Sequence, residues 1–259
     1  VALWARTEFL ARNPDYLDDP PTISRAISDP AIGGPVAVLT LVVAALILLS
    51  LPAIVRAYLH AIGRLPLSRL RRLPMWALLA FFTVAQLIAC FGMVLTTQYT
   101  FANNDDLHML GSYIFFPAQA LALLGAAILC RLLLQQCETH GIPGEHWPFR
   151  PGMHRFRFRF AVVVVLLAAS YGVLYVVKDW SLPVSNYVAH VIYTQCEVVV
   201  IASYVLFIGS YSIDLLDMVS NDRLRPRPSP DAAGPHAATA PLPPAERSAE
   251  ALSPGGRNC

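Results

Sequence analysis

The stretch VAVLTLVVAALILLSLPAIVRAY, residues 36–58, decides the fold, and Arg56 is its only charged residue. A helix of about 20 apolar residues is long enough to cross the hydrocarbon core of a bilayer. We therefore interpret residues 36–58 as a transmembrane helix.

Further apolar runs of this kind follow along the chain, at about 75–97, 107–134, 160–177 and 187–216. The chain is 56% hydrophobic and only 14% charged, whereas soluble domains carry roughly a quarter charged residues. The sequence predicts an all-α, polytopic transmembrane helix bundle with five spans over residues 36–217. Residues 1–35 form a polar, Pro-containing segment before the bundle, and residues 218–259, rich in Pro, Ala, Ser and Gly, predict a disordered tail.

The arginines predict how the bundle is oriented. Arginines cluster after the first, third and fifth spans, at Arg64, Arg69, Arg71, Arg72, Arg150, Arg155, Arg157, Arg159, Arg223, Arg225 and Arg227. On the other side, loop 98–106 has no Lys or Arg, and loop 178–186 has only Lys178. Because Lys and Arg are enriched in cytoplasmic loops, we expect an extracytoplasmic or luminal N-terminal segment and a cytoplasmic C-terminus. The membrane would be that of the Golgi, the ER or the plasma membrane in a eukaryote, and the inner membrane in a bacterium.

Polar residues recur along the fifth span. His190, Glu197, Tyr204 and Tyr211 are spaced by seven residues, which places them on one helix face with a drift of only about 20° per heptad. A carboxylate at the centre of a membrane helix costs on the order of 2.5–3.5 kcal/mol, so it is expected to face the bundle and to serve a function. An inert hydrogen bond between packed helices is the alternative for Glu197.

A second histidine lies at the start of the third span. His108 follows Asp105 and Asp106 and precedes Ser112 by one helical turn. Together with His190 and Glu197, these residues predict a polar site that opens outward. Two alternatives stay open: an interfacial histidine wetted by headgroups, and a b-type haem held axially by His108 and His190.

The stretch RFRFRF, residues 155–160, precedes the fourth span. Alternating Arg and Phe beside a span suit the interface, where rings enter the acyl boundary and guanidinium groups meet anionic headgroups. We expect Arg155, Arg157 and Arg159 to contact headgroups; a plain topology anchor is the simpler interpretation.

Motifs for metal or cofactor binding are not found. Cys137, His140, His146 and His154 lack the short regular spacing of zinc sites, and there is no phosphate-binding glycine loop, Gly-x-Ser-x-Gly elbow or His-Glu-x-x-His. We predict no metal and no cofactor.

The segment Pro21–Asp29, PTISRAISD, resembles a family signature. It is similar to the outer-loop signature of the family that joins the FGF-receptor-activating protein, the damage-regulated autophagy modulators and the yeast four-kinase suppressor. Its Ser-x-Ala-Ile form is similar to that of the Golgi factor that acts on GPI-anchored proteins after attachment. Later stretches resemble family features in the same order: the pre-helix His108 with Phe115 and Phe116, Arg131 at a helix end, and Glu197 in the final span.

The resemblance implies work linked to lipids. It points to GPI-anchor lipid remodelling, phosphoinositide regulation or autophagy-linked membrane regulation, with Ser24 joining the site as part of a lid. A lipid-modifying enzyme with Glu197 and His108 as acid and base is the alternative. Membrane lipids are the expected partners, other membrane proteins are a further option, and no nucleic acid is expected. Family members have six spans, so we expect the first family helix to be missing before Val1.

Overall fold

The computed structural model describes residues 2–16, 21–141, 150–177, 180 and 186–220. In these ranges the regular structure is helical, without a β-strand. The helices are α1 (Ala2–Arg12), a 3₁₀ turn (Pro14–Tyr16), α2 (Ile23–Ala26), α3 (Pro30–Arg64), α4 (Arg69–Gln98), α5 (Asp105–His140), α6 (Pro151–Val177) and α7 (Asn186–Ser220). The long helices α3 to α7 are apolar enough to cross a membrane, which confirms the predicted all-α polytopic bundle. The predicted tail from residue 221 onward and His146 lie outside the described residues.

Side-chain caps define where several helices begin. Thr22 accepts a hydrogen bond from the backbone N–H of Arg25 at the start of α2. Asp29 does the same for α3, followed by Pro30 at the first helical position, and Asn104 caps α5. These residue types satisfy backbone donors that have no partner within the helix.

Helices α4 and α5 pack at very short range because glycines remove the side chain at their contacts. A Cβ on Gly92 would lie 2.6 Å from the backbone nitrogen of Phe115, and a Cβ on Gly111 would lie 2.5 Å from that of Thr96. Small residues of this kind let membrane helices approach closely. The paired amides of Gln86 and Gln119 add two reciprocal hydrogen bonds of 3.1 and 3.2 Å across the same interface.

The outward faces of the spans are apolar. Leu49 on α3 is 77% exposed, and Leu166 on α6 and Leu206 on α7 are also largely exposed. Exposed leucines on long helices are what a lipid environment requires. The interior combines a mainly apolar core with a smaller set of buried polar side chains.

A buried ion pair joins α6 to α7 at the end of the bundle where α6 begins. The Arg157 guanidinium bonds to the Asp214 carboxylate and to the hydroxyl of Ser210 (Nε to Oγ 2.9 Å), and both charged side chains are fully buried. The guanidinium also stacks over the ring of Tyr211, 4.0 Å from its centroid, and the Tyr211 hydroxyl bonds to that of Tyr58 on α3 at 2.9 Å.

This pair corrects the expectation that Arg157 contacts headgroups. In a helix, residues two positions apart point about 200° apart, whereas residues four positions apart share a face. Arg155 and Arg159 are accordingly exposed, and Arg157 points into the bundle. Arg155 also pairs with Glu138 on α5 at 2.9 Å.

The N-terminal elements pack over the opposite end of the bundle. A small apolar cluster joins α1, α2 and the first turns of α3 to Val198 on α7; its buried members are Ala5, Phe9, Ile23, Ala26, Ile27, Ile32, Val36 and Val198. A Cβ on Gly33 would lie 2.3 Å from the carbonyl oxygen of Ile27, so the chain turns tightly from α2 into α3. This packing places residues 21–29, called the signature segment below, against α7 at Glu197 and Val198, about three turns from the start of that helix.

Candidate functional site

Glu197 ties the signature segment to the last span. Its Oε2 accepts a hydrogen bond from the backbone N–H of Ile23 at 2.8 Å, and its Oε1 accepts one from the Ser24 hydroxyl at 3.5 Å. The Glu197 side chain is only 3% exposed. Backbone and hydroxyl donors therefore satisfy a carboxylate that would otherwise be costly to place among membrane helices.

The heptad stripe on α7 faces inward as the spacing predicts. Glu197, Tyr204 and Tyr211 are buried, and His190 is partly buried. The Tyr204 hydroxyl donates to the backbone carbonyl of Phe116 on α5 at 3.1 Å. The stripe is therefore the polar face through which α7 contacts its neighbours, and we call it the polar seam.

A large cavity lies beside this seam, between α2, α5, α6 and α7. Its volume is about 1190 Å³. Ser24, His108, Ser112 and His190 line it, and Glu197 bonds to Ser24 directly behind the wall. The structure therefore places four of the five candidate residues in the lining of one cavity, which we call the signature cavity, and connects Glu197 to it through Ser24.

The signature cavity has a polar end and an apolar end. Polar residues gather at one end, called the polar end, together with the apolar side chains of Phe101, Ala102 and Met109; these polar residues are Ser24, Arg25, Ser28, Asp105, His108, Ser112 and His190. The apolar end is formed by Phe116, Pro117, Ala120, Leu121, Val165, Ala168, Ala169 and Gly172. Along α5 the lining runs from Asp105 to Leu121, a helix rise of about 24 Å at 1.5 Å per residue. This length is most of the thickness of a hydrocarbon core, which is about 30 Å.

The apolar end is continuous with the outer surface between α5 and α6. Its walls use small residues on α6, Ala168, Ala169 and Gly172, which leave space beside α5. Ala169 and Gly172 are exposed, and Leu121 across the groove is 46% exposed. A molecule in the cavity would therefore touch the lipid-facing surface of the bundle.

His108 is fixed by two backbone carbonyls at the end of α4. Its Nδ1 lies 2.8 Å from the carbonyl oxygen of Thr96 and 2.8 Å from that of Tyr99. The ring is fully buried, and Phe101 packs against it with ring centroids 4.4 Å apart. Nε2 has no hydrogen-bond partner among the described residues.

Glu197 and His108 do not bond to each other in the described part of the chain. Each has its own partners: the signature segment for Glu197 and the end of α4 for His108. The Ser24 hydroxyl reaches across to Glu197. Thr22 makes the local bond that orders the segment.

Tyrosines form the wall next to His190. Their place in the site was not predicted from the sequence. The hydroxyls of Tyr171 and Tyr193 lie 3.2 Å apart with the rings stacked, and those of Tyr113 and Tyr175 lie 3.0 Å apart. All four line the cavity. The signal was weak because a tyrosine in an apolar span looks like an ordinary aromatic residue until its partner is known.

A second, smaller cavity lies at the arginine-rich end of the bundle. It measures about 130 Å³ and is lined by Arg131, Leu134, His154, Arg155, Phe158 and Arg159. Contact between headgroups and Arg155 or Arg159 stays a prediction.

The fold and the signature cavity define the class: a multi-pass membrane protein with a mainly apolar cavity that holds a cluster of polar residues, at one end of a five-span bundle. The family model that matches is the Frag1/DRAM/Sfk1/Cwh43P N-terminal domain, over residues 2–218. The chain belongs to this family, as its signature segment predicted. No curated protein and no solved structure matches it.

Proposed function

We propose that this protein binds a membrane lipid in the signature cavity. The headgroup would lie at the polar end, beside Ser24, His108, Ser112 and His190. An acyl chain would occupy the groove between α5 and α6. Arg155 and Arg159 would contact anionic headgroups at the opposite end.

The observation that carries the proposal is a single cavity that joins a polar end to an apolar end. Pockets for drug-sized ligands measure about 300–1,000 Å³, and this cavity is larger, at about 1190 Å³. Its apolar end opens onto the lipid-facing surface, so a lipid could enter sideways without leaving the bilayer. A soluble, polar ligand would have no apolar part to fill the groove lined by Ala120, Leu121 and Ala169.

Family membership supports a place for this binding in lipid metabolism or membrane regulation. We propose GPI-anchor lipid remodelling, phosphoinositide regulation or autophagy-linked membrane regulation as the processes served. In a bacterium the first of these fails, because bacteria have no GPI anchors, and the ligand would be another membrane lipid.

Binding is better supported than acid–base chemistry. A general acid and base must come within hydrogen-bond reach of the reacting groups, directly or through one water. Both carboxylate oxygens of Glu197 are engaged by the signature segment. This arrangement favours a role in holding the segment over the cavity.

Native mass spectrometry of protein purified in mild detergent tests the proposal. We expect a defined lipid adduct on the wild type. Ala120→Trp and Ala169→Trp should remove it by filling the groove, because both alanines line the cavity. Ala45→Trp is the matched control, since Ala45 is exposed on α3 and outside the cavity lining.

Two outcomes would contradict lipid binding in the signature cavity. One is an adduct that survives both groove-filling variants. The other is an adduct with the mass of haem, which would favour the b-type haem alternative with His108 and His190 as ligands.

A further inference from the structure

We infer that Nε2 of His108 is a fixed hydrogen-bond acceptor for the ligand, and that the headgroup bound in the signature cavity therefore presents a donor, a hydroxyl or an ammonium N–H. This inference rests on the proposed function and deepens it. It names the chemistry of the headgroup, which neither the fold nor the family assigns.

The tautomer of His108 follows from its partners. Both groups within 2.8 Å of Nδ1 are backbone carbonyl oxygens, of Thr96 and Tyr99. Carbonyl oxygens only accept hydrogen bonds, so Nδ1 must carry the proton. In the neutral imidazole the other nitrogen then has a lone pair and accepts.

The unpaired acceptor position on Nε2 indicates a ligand. His108 is among the residues that line the signature cavity, but its ring is fully buried, and Nε2 has neither exposure nor a partner among the described residues. Buried side-chain polar atoms in folded proteins nearly always have a partner, and leaving one without a partner costs free energy. A donor on the ligand would complete the set.

Most neighbouring groups at the polar end can accept from a donor-rich headgroup, and Arg25, which only donates, suits the phosphate of that headgroup. The hydroxyls of Ser24, Ser28 and Ser112 can accept as well as donate, and the Asp105 carboxylate lines the same end. Hydroxyls of a glycerol, sugar or inositol headgroup and the ammonium of an ethanolamine headgroup share this donor chemistry. A quaternary ammonium or a propyl ester offers no such donor.

Two matched pairs of lipids distinguish a hydroxyl donor from an ammonium donor. Phosphatidylglycerol and phosphatidylpropanol share one phosphodiester charge and a three-carbon headgroup, and they differ by the headgroup hydroxyls. Phosphatidylethanolamine and phosphatidylcholine differ by the ammonium N–H. The wild-type protein is offered each pair in equal amounts with identical acyl chains, and the ratio of bound lipids is read by native mass spectrometry.

We expect the wild type to prefer the donor-bearing lipid of at least one pair by roughly fivefold, the worth of one net hydrogen bond. Preference in the first pair alone would assign a hydroxyl, and preference in the second pair alone an ammonium. His108→Asn should bring the ratio close to one. Its side-chain amide can still donate to the two carbonyls, but nothing stands in the place of Nε2.

His60→Asn is the matched control, because His60 lies on α3 outside the cavity lining, and it should keep the wild-type ratio. Equal binding of both members of both pairs by the wild type would overturn the inference while leaving lipid binding intact. So would a preference that persists in His108→Asn. Failure of the wild type to bind any of the four lipids would count against the proposed function itself.

Discussion

The carboxylate of Glu197 accepts a hydrogen bond of 2.8 Å from the backbone N–H of Ile23, a residue 174 positions earlier in the chain. This bond connects the last span to the signature segment, which forms one wall of the signature cavity. Two of the features that resemble the family, the signature and the glutamate of the final span, are therefore one structural unit.

Removing that carboxylate should release the signature segment. In Glu197→Ala the buried N–H of Ile23 loses its partner, at a cost of about 1–3 kcal/mol. We expect faster amide hydrogen exchange over residues 21–29, measured by mass spectrometry in detergent. Glu138→Ala is the control, because Glu138 is exposed and pairs only with Arg155 among the described ion pairs. Unchanged exchange in Glu197→Ala would mean that packing of the apolar cluster alone holds the segment.

Substitutions at the buried ion pair between α6 and α7 should not be additive. Loss of one charge should destabilise the protein more than loss of both. Arg157→Met or Asp214→Leu alone leaves an uncompensated buried charge, a loss of about 3–5 kcal/mol. The double variant removes both charges and should regain most of that stability. The measurement is the free energy of unfolding in a denaturant titration of the detergent-solubilised protein. A double variant as unstable as the sum of the two single variants would argue that the charges act independently.

The glycine contact between α4 and α5 should tolerate no methyl group. In Gly111→Ala the new Cβ would lie 2.5 Å from the Thr96 nitrogen and 2.7 Å from its Oγ1, and overpacking of this kind costs about 1–3 kcal/mol. The helices must shift where Thr96 holds His108, so the lipid preference that depends on His108 should fall together with the melting temperature.

Gly209→Ala is the control for that contact. Gly209 lies inside α7, and a Cβ added there would have nothing within 4 Å. Ala is favoured over Gly in a helix by about 0.5–1 kcal/mol, so the melting temperature of this variant should equal or exceed that of the wild type. Equal stability of Gly111→Ala and Gly209→Ala would show that α4 and α5 have room to separate.

Periodicity predicted the parts of this molecule that depend on one helix at a time. Long apolar runs predicted the five spans, and the seven-residue spacing predicted that Glu197, Tyr204 and Tyr211 face inward. What depends on two elements meeting was not predictable in this way. The carbonyls that orient His108 belong to the end of α4, and no local pattern in the sequence shows that this end contacts His108.

The stretch RFRFRF shows a second limit of prediction from sequence patterns. Alternation suggested one common role for its three arginines, but a helix places Arg157 about 200° from each neighbouring arginine. The sequence also contained the partner, Asp214, near the end of the last span. Pairing them required knowing that α6 and α7 are adjacent there.

Arg155 and Arg159 remain on the surface, and their contribution should be electrostatic. Arg155→Gln with Arg159→Gln should lower the retention of phosphatidylglycerol relative to phosphatidylcholine, by about fivefold per arginine at roughly 1 kcal/mol each. The readout is the lipid ratio that co-purifies with protein extracted from vesicles containing equal amounts of both lipids. Glu138→Gln supplies a control of opposite sign, because it frees Arg155 from its 2.9 Å ion pair and should raise retention. If the double arginine variant and Glu138→Gln both leave the ratio unchanged, these arginines do not contact headgroups.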